Sequence, residues 1–295
     1  MKKVCPYCHA ESPFYFCSKD YNRKITQKTF DHYRCPECKL IFIDPVPDEL
    51  AQYYPDEYYA VPNSAEDLDA SFKFENYKIE IVQRFCGKGR LLEIGPSYGS
   101  FAYLAKKAGY EVKAIEMNKC CYRFLNEVIG VNTINNNNPI EMMQHDETYD
   151  VIALWHVIEH LHNLGITLDA VYSCLKPNGI IVLATPNPDA FQFKIMGRRW
   201  THLDAPRHVT LIPMKLLVEK LKSLGMKAEL ITTNDQGSID QNTFGWKHFF
   251  RRKISRGNMR KALSKVGRLV AWILGPIERI EGKGSTYTMV FRKVA

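Results

Sequence analysis

Residues 91–99 read Leu-Leu-Glu-Ile-Gly-Pro-Ser-Tyr-Gly, a run of strand-forming apolar residues that ends in a carboxylate and breaks on two glycines. A strand entering a tight glycine turn at the start of a helix leaves bare backbone N–H groups where a nucleotide-like ligand can lie. The carboxylate narrows the ligand. A dinucleotide fingerprint, G-x-G-x-x-G, brings a pyrophosphate against uncharged backbone. Glu93 faces the same mouth two residues before the turn, where it would repel a pyrophosphate and suit a ligand carrying an ammonium and a sulfonium.

Outward from this stretch the pattern alternates. Phe74, Tyr77, Ile81, Val82 and Phe85 mark a helix face, RLLEI a strand, Phe101, Leu104, Ala105 and Ala108 a helix, EVKAI a strand, and Cys121, Phe124, Leu125, Val128 and Ile129 a helix. VNTI, a short helix near 139–145, the strand YDVIAL, a helix over 167–175, the KPNG turn and the continuous apolar strand IIVLAT follow. Pro213 and Gly225 bracket another helix before the strand KAELIT, and STYTMVFRK is a late final strand. This βαβα order predicts an α/β fold on a doubly wound, mostly parallel sheet.

The glycine turn resembles motif I of the class I S-adenosylmethionine (SAM)-dependent methyltransferases, [D/E]-x-G-x-G-x-G, with Ser97 in place of the middle glycine. Glu116, 23 residues after Glu93 at the end of the next strand, stands where an acid accepts both ribose hydroxyls of a nucleoside, and it matches the family's second signature. Asp150 to His160, DVIALWHVIEH, resembles the loop that lines the cleft between cofactor and acceptor in that family. The resemblance covers roughly residues 72–292 and implies a Rossmann-like, seven-stranded sheet whose last strand is inserted antiparallel. It implies SAM as cofactor, held by Glu93, Gly95, Ser97, Gly99 and Glu116, with Met117 on the adenine, Asn136 at the adenine edge and Trp155 beside the methyl group. His156-Val-Ile-Glu159-His160 also spells the inverted zinc-peptidase pattern H-x-x-E-H, but its place directly after a strand argues for the methyltransferase loop.

Nine cysteines, an odd number at uneven spacing, argue against a disulfide framework. Cys5-Pro-Tyr-Cys8 and Cys35-Pro-Glu-Cys38, separated by 26 residues, can aim four thiolates at one structural Zn2+. With TFDHYRC and KLIFIDP as strands, residues 1–43 read as a zinc ribbon, too small to be stable without its metal. Cys17, Cys86, Cys120, Cys121 and Cys174 have no partner spacing and read as small core residues. Residues 44–71 form an acidic, Tyr/Pro-rich connector, a solvated linker or a wall of the acceptor site. Residues 72–295 make up the methyltransferase domain.

The net charge of +8 is local: residues 247–268 hold nine Lys or Arg and no acid, whereas residues 44–69 hold eight acids and no base. The basic run opens an insertion, residues 233–283, whose second half has helical apolar spacing at Val266, Leu269, Val270, Ile273, Leu274 and Ile277. Docking on the body, dimerisation and peripheral contact with a membrane surface through 247–277 all fit that pattern. The start MKKVCPYC lacks a signal peptide's apolar region and no window reaches 18 apolar residues, so a cytoplasmic place is expected, with the inner membrane face as the alternative.

Residues 200–208, WTHLDAPRH, resemble a motif of methyltransferases in bacterial glycan and natural-product pathways. A hydroxyl acceptor needs a base, and imidazole suits it; His156 and His208 are the candidates. The expected reaction is methylation of a sugar hydroxyl on a small-molecule or glycan acceptor, nucleotide- or lipid-linked. Three alternatives stand beside it. Zinc-ribbon sugar C-methyltransferases are similar but carry a further large C-terminal domain; an RNA methyltransferase would use the basic insertion on phosphates, against which the acidic connector argues; and Ser97 would be the first sign of decay in a non-catalytic interaction protein.

Overall fold

The computed structural model describes residues 2–55, 58–144, 148–252, 254 and 257–294. Asp56 and Glu57 of the connector, His145 at the end of the expected helix near 139–145, and Lys253 and Arg256 of the basic run lie outside the described residues.

The chain opens with four antiparallel strands, β1 (Lys2–Val4), β2 (Glu11–Lys19), β3 (Thr29–Arg34) and β4 (Ile41–Ile43). The two cysteine pairs sit in the turns between β1 and β2 and between β3 and β4. Each turn ends in a residue at positive φ, His9 at 61° and Lys39 at 63°, which lets the chain fold back so that Cys5 N donates to Ala10 O and Cys35 N to Leu40 O. The connector, which includes a short 3-10 turn at Leu50–Tyr53, then leads into α1 (Asp69–Phe85).

The alternation runs β5 (Arg90–Ile94), α2 (Ser100–Lys107), β6 (Glu111–Glu116), α3 (Lys119–Arg123) with a π-helical continuation at Phe124–Ile129, and β7 (Asn132–Asn135). Next come α4 (Pro139–Gln144), β8 (Tyr149–Trp155), α5 (Leu164–Ser173), β9 (Leu175–Pro186), α6 (Phe191–Met196), and the two-residue β10 (Thr210–Leu211). The chain finishes with α7 (Met214–Ser223), β11 (Met226–Thr232), α8 (Gln236–Arg251), α9 (Asn258–Glu278) and β12 (Thr286–Lys293).

Seven strands form one sheet in the order β11-β12-β9-β8-β5-β6-β7. The pairs β5/β6, β6/β7, β5/β8 and β8/β9 are parallel, and β12 runs antiparallel between β9 and β11. This is the expected Rossmann-like α/β sheet with an antiparallel last strand. Strand order reverses between β5 and β8, and the crevice outside the carboxyl ends of strands at such a reversal is where ligands bind in open α/β sheets. One sheet face carries Leu92, Ile94, Ile152, Leu154, Ile181 and Leu183 against Leu168 of α5 and Leu217 of α7. The other carries Leu91, Val151, Ala153 and Val182 against Val82 of α1 and Phe101 of α2.

Some expectations fail locally. Phe74 is 68% exposed although it is in line with Ile81 and Phe85 on α1; it lies in the N-terminal part of the helix, before the stretch from Tyr77 to Phe85 that packs on the sheet. Of the five cysteines read as core, Cys121 and Cys174 are buried and Cys17 and Cys86 half-buried. Cys120 is exposed, standing on the outer side of the α3 first turn that Asn118 caps.

The candidate active site

β5 delivers Glu93 to the crevice fully enclosed, at 3% exposure. Its Oε2 has no hydrogen-bond partner, and burial, opposed by Lys78, pushes its carboxyl up to about 8. Gly95 follows at φ 67°; a Cβ there would meet Val157 Cγ2 at 2.7 Å, so the turn and the loop after β8 pack together only because this residue has no side chain. Ser97 holds φ 57°, the left-handed conformation that a glycine adopts without cost. Its N–H donates to Glu116 Oε2 at 2.9 Å, while Asn118 N donates to Glu116 Oε1 at 2.7 Å. Burial pushes the Glu116 carboxyl up to about 7 against those two donors. Gly99 has a packing function: at φ 85° it starts α2, and a Cβ would meet Leu125 Cδ2 at 2.4 Å.

Beside this turn lies a cavity of about 1090 Å³. Gly95, Ser97, Glu116, Met117, Trp155, His156 and His208 line it; Glu93, Gly99 and Asn136 do not. Asn136 closes its own loop by accepting Asn138 N at 2.6 Å, and its neighbour Asn137 reaches the cavity instead. Asn135 donates to the carbonyls of Glu116 and Met117 at 2.8 and 3.0 Å, pinning the end of β6. Trp155 stacks edge-on to Phe101 and Tyr77 at 5.6 and 6.1 Å and leaves a buried, unpartnered indole N–H. Bare turn backbone at Gly95 and Ser97, the Glu116 carboxyl and the orphaned Trp155 indole N–H on the cavity wall are what a polar nucleoside ligand would satisfy, with the Glu93 carboxyl enclosed behind the turn, so the residues present fit SAM.

The loop after β8 builds the other wall. His156 takes φ 58°, with its N–H bonded to Ala184 O at 2.8 Å, and Ile158–His160 form a 3-10 turn, not the helix that the peptidase pattern requires. Glu159 is fully buried. Thr185 Oγ1 donates to its Oε2 at 2.9 Å, while Oε1 has no hydrogen-bond partner and lies 3.7 Å from His156 Nδ1 and 3.9 Å from His208 Nε2. Burial alone would raise the Glu159 carboxyl; the His156 ring, then the charge of His208 and His160, outweigh it and hold it at about 2. His208 Nδ1 is 2.7 Å from His202 O, so this nitrogen donates to that carbonyl, and Nε2 faces Glu159 and the cavity. Burial, reinforced by neighbouring imidazoles, lowers His160 to about 4 and His202 to about 3, keeping both neutral. The ligand atoms of Glu159, His160 and His208 lie within 4.8 Å of one another, a donor set that also suits a divalent cation.

Three features are built by contacts distant in sequence. Tyr54, Tyr58 and Tyr59 of the connector line the cavity, their rings edge to face at 5.0 and 4.8 Å, with Tyr54 Oη 3.0 Å from His160 Nδ1. The paired tyrosines in a Pro-rich run were the visible signal. Arg207 is fully buried and donates to both oxygens of Asp204, with Nη2 also 2.8 Å from Asp20 Oδ1 in the β2–β3 loop. Asn22, from the same loop, donates to Thr201 O and Asp204 Oδ1 at 2.7 and 2.5 Å. Nothing in the sequence flags Asp20 or Asn22, and His202 is marked only by its place in WTHLDAPRH.

Away from the cavity, Cys5, Cys8, Cys35 and Cys38 bring their sulfurs within 4.8 Å of one another. The Cys5–Cys38 and Cys8–Cys35 separations are 3.6 and 3.4 Å, near the roughly 3.8 Å edge of a tetrahedron with 2.3 Å Zn–S bonds. The four thiols fit a closed tetrahedral metal site.

A family model described as a methyltransferase domain matches residues 71–229, from α1 through most of β11. Among curated proteins, the ubiquinone biosynthesis O-methyltransferase of Rickettsia typhi is 28% identical over 113 residues, 37% of this chain and 46% of that protein. That of Rickettsia prowazekii is 29% identical over 113 residues. The chain thus spans about half the length of the curated relatives it matches. Among solved structures, a SAM-dependent methyltransferase from Archaeoglobus fulgidus superposes with a TM-score of 0.52 at 21% identity, covering 76% of this chain and 94% of that one. A geranyl diphosphate C-methyltransferase from Streptomyces coelicolor A3(2) reaches 0.50 at 12% identity, covering 75% and 76%. Likeness at those identities speaks for the fold, and the matched domain covers more than half of the residues: this chain belongs to the methyltransferase-domain family.

Proposed function

We propose that this protein transfers a methyl group from SAM to a hydroxyl of a small-molecule or glycan acceptor, with His208 as the base. The observation that carries the reading is the fully buried Glu159 carboxyl, with its free oxygen between His156 and His208 on the cavity wall. SAM, held between the Gly95–Ser97 turn, Glu116 and Trp155, supplies an electrophilic methyl group. His208 Nε2 accepts the hydroxyl proton; its Nδ1–H stays on His202 O, and Glu159 stabilises the resulting imidazolium. Tyr54, Tyr58 and Tyr59 close the connector side and exclude water from the reacting atoms.

The oxygen acceptor agrees with the names of the Rickettsia relatives, O-methyltransferases of ubiquinone biosynthesis. A sugar acceptor on a nucleotide or lipid carrier rests on the WTHLDAPRH resemblance and on the cavity rim. There Arg23, Arg251 and Arg260 converge, and His248 Nδ1 and Arg251 Nε are buried without hydrogen-bond partners, as an anionic linkage would require. Zn2+ on the four thiolates has no open position and supports the fold only.

Calorimetry with SAM, then turnover of radiolabelled SAM on soluble and lipid-linked saccharide panels, tests the reading. His208→Asn should lower kcat by about 10²–10⁴ with SAM binding unchanged; unchanged turnover removes His208 from the chemistry, and absence of SAM binding to zinc-loaded, folded protein defeats the whole proposal. A divalent cation on Glu159, His160 and His208 would instead polarise the hydroxyl, and a rate that needs added Mg2+ or Mn2+ identifies that variant of the mechanism.

A further inference from the structure

The α8–α9 arm carries a surface that the chemistry leaves unused. α9 is apolar on two sides. One side is docked: Val270, Ala271 and Leu274 join the cluster around Trp200 and Trp246, and Gly267 lies so close to α8 that a Cβ would meet Lys247 Cα at 2.6 Å. Glu278 accepts the Trp246 indole N–H at 3.0 Å. The opposite side stands in solvent. Trp272 is 78% exposed and Leu269 and Ile273 are each 55% exposed; Val266 and Ile277 are exposed between this side and the docked one, and Ile280 just beyond the helix end. Lys261, Lys265 and Arg268 are exposed along one margin of that side, and residues 241–277 contain no acid.

We infer that this face of α9 seats on an anionic lipid bilayer. Charge selects the occupant. A second copy related by a twofold axis would press two acid-free, basic faces together, whereas an anionic headgroup layer neutralises the lysines and arginines while Trp272, Leu269 and Ile273 enter the interface. The contact is peripheral, since no described helix is long and apolar enough to cross a membrane. The same arm supplies Phe244, Arg251 and Arg260 to the cavity wall, so the seated face and the cavity rim belong to one element. The inference holds for any acceptor and does not depend on which residue is the base.

The other three tryptophans, Trp155, Trp200 and Trp246, are at most 6% exposed, so a change in emission reports Trp272. The full chain is titrated with vesicles of phosphatidylcholine alone and of phosphatidylcholine mixed with phosphatidylglycerol, and followed by fluorescence and flotation. The expected result is a blue shift and co-flotation with the anionic vesicles, reversed by high salt. Leu269→Gln/Trp272→Gln/Ile273→Gln should float on the order of 100-fold less well, and Lys261→Ser/Lys265→Ser/Arg268→Ser about 10-fold less or worse. Both variants change exposed residues, and both should keep the parent's melting temperature and SAM affinity. No shift and no flotation with anionic vesicles overturns the inference. So does a Trp272 blue shift that grows with protein concentration in the absence of lipid, which would assign the face to a second copy.

Discussion

Glu93 is an acid that the ligand-free fold holds at a disadvantage: enclosed, with one oxygen unpartnered and its carboxyl pushed up to about 8. For an acid raised in this way, the contribution to stability is present below the ordinary value near 4.5 and is lost as pH rises through about 8, where the buried group must ionise. Glu93→Gln should therefore stabilise the ligand-free protein at pH 9 by about 2–4 kcal/mol, measured by denaturant titration, with little effect at pH 5. The same change should weaken SAM by about 10-fold or more, because the cation loses its carboxylate. In the parent, SAM affinity should rise from pH 6.5 to 8.5, with proton release visible as a buffer-dependent binding enthalpy. A parent affinity that is flat across that range would sever the carboxylate from cofactor binding. The opening stretch of sequence made Glu93, Gly95 and Ser97 legible because their requirements are local: a strand end, a positive φ and a close approach. Asn136 was misjudged by one position, since nothing in NNNN distinguishes the residue that closes the loop from the one that reaches the cavity.

Strands β3 to β8, the Ile180–Thr185 part of β9 and the helices between them were readable, although Lys176–Gly179, expected as a turn, belong to β9; β2 was not, and its burial explains why. In ESPFYFCSK the buried positions are Ser12 and Ser18, while Phe14 and Tyr15, neighbours on opposite faces, are both exposed at 49% and 42% and the register is irregular between Phe14 and Phe16, so hydrophobicity does not alternate with burial. The loop after α6 shows the same limit for function. Pro206-Arg207-His208 reads as one motif, yet its members divide the work: His208 faces the cavity, and Arg207 ties the loop to Asp20, 187 residues away. Arg207→Ala should cost about 3–5 kcal/mol, since two enclosed carboxylates lose their counter-charge. Asp20→Asn should cost less, because Asp204 still pairs with Arg207. Because that clamp also sets the path of the residue bearing the base, Arg207→Ala at a temperature where it remains folded should lose kcat by a larger factor than SAM affinity; equal losses would make the clamp a matter of stability alone.

The ribbon is built into the molecule. β10, from the segment after the sheet's fifth strand, pairs with β4 and completes the ribbon's sheet, and Cys5, Tyr33, Leu40 and Phe42 share one apolar cluster with Leu154 and Leu183 of the large sheet. The Asp20–Arg207 pair and the Asn22 bonds cross the same boundary. Zn2+ held by the four cysteines would add folding free energy to this shared core. Here that contribution has a route into the cavity, because β10 lies two residues after His208 and Val209 N bonds to Glu159 O at 3.0 Å. Removing zinc with a strong chelator, or disabling the site by Cys38→Ser, should therefore lower the melting temperature of the entire chain in a single calorimetric transition and abolish turnover. SAM binding, whose proposed contacts lie mainly at the ends of β5 and β6, should fall less than turnover does. Two separate transitions, with the larger one unmoved and full turnover retained, would show instead that the ribbon folds and acts independently of the methyltransferase sheet.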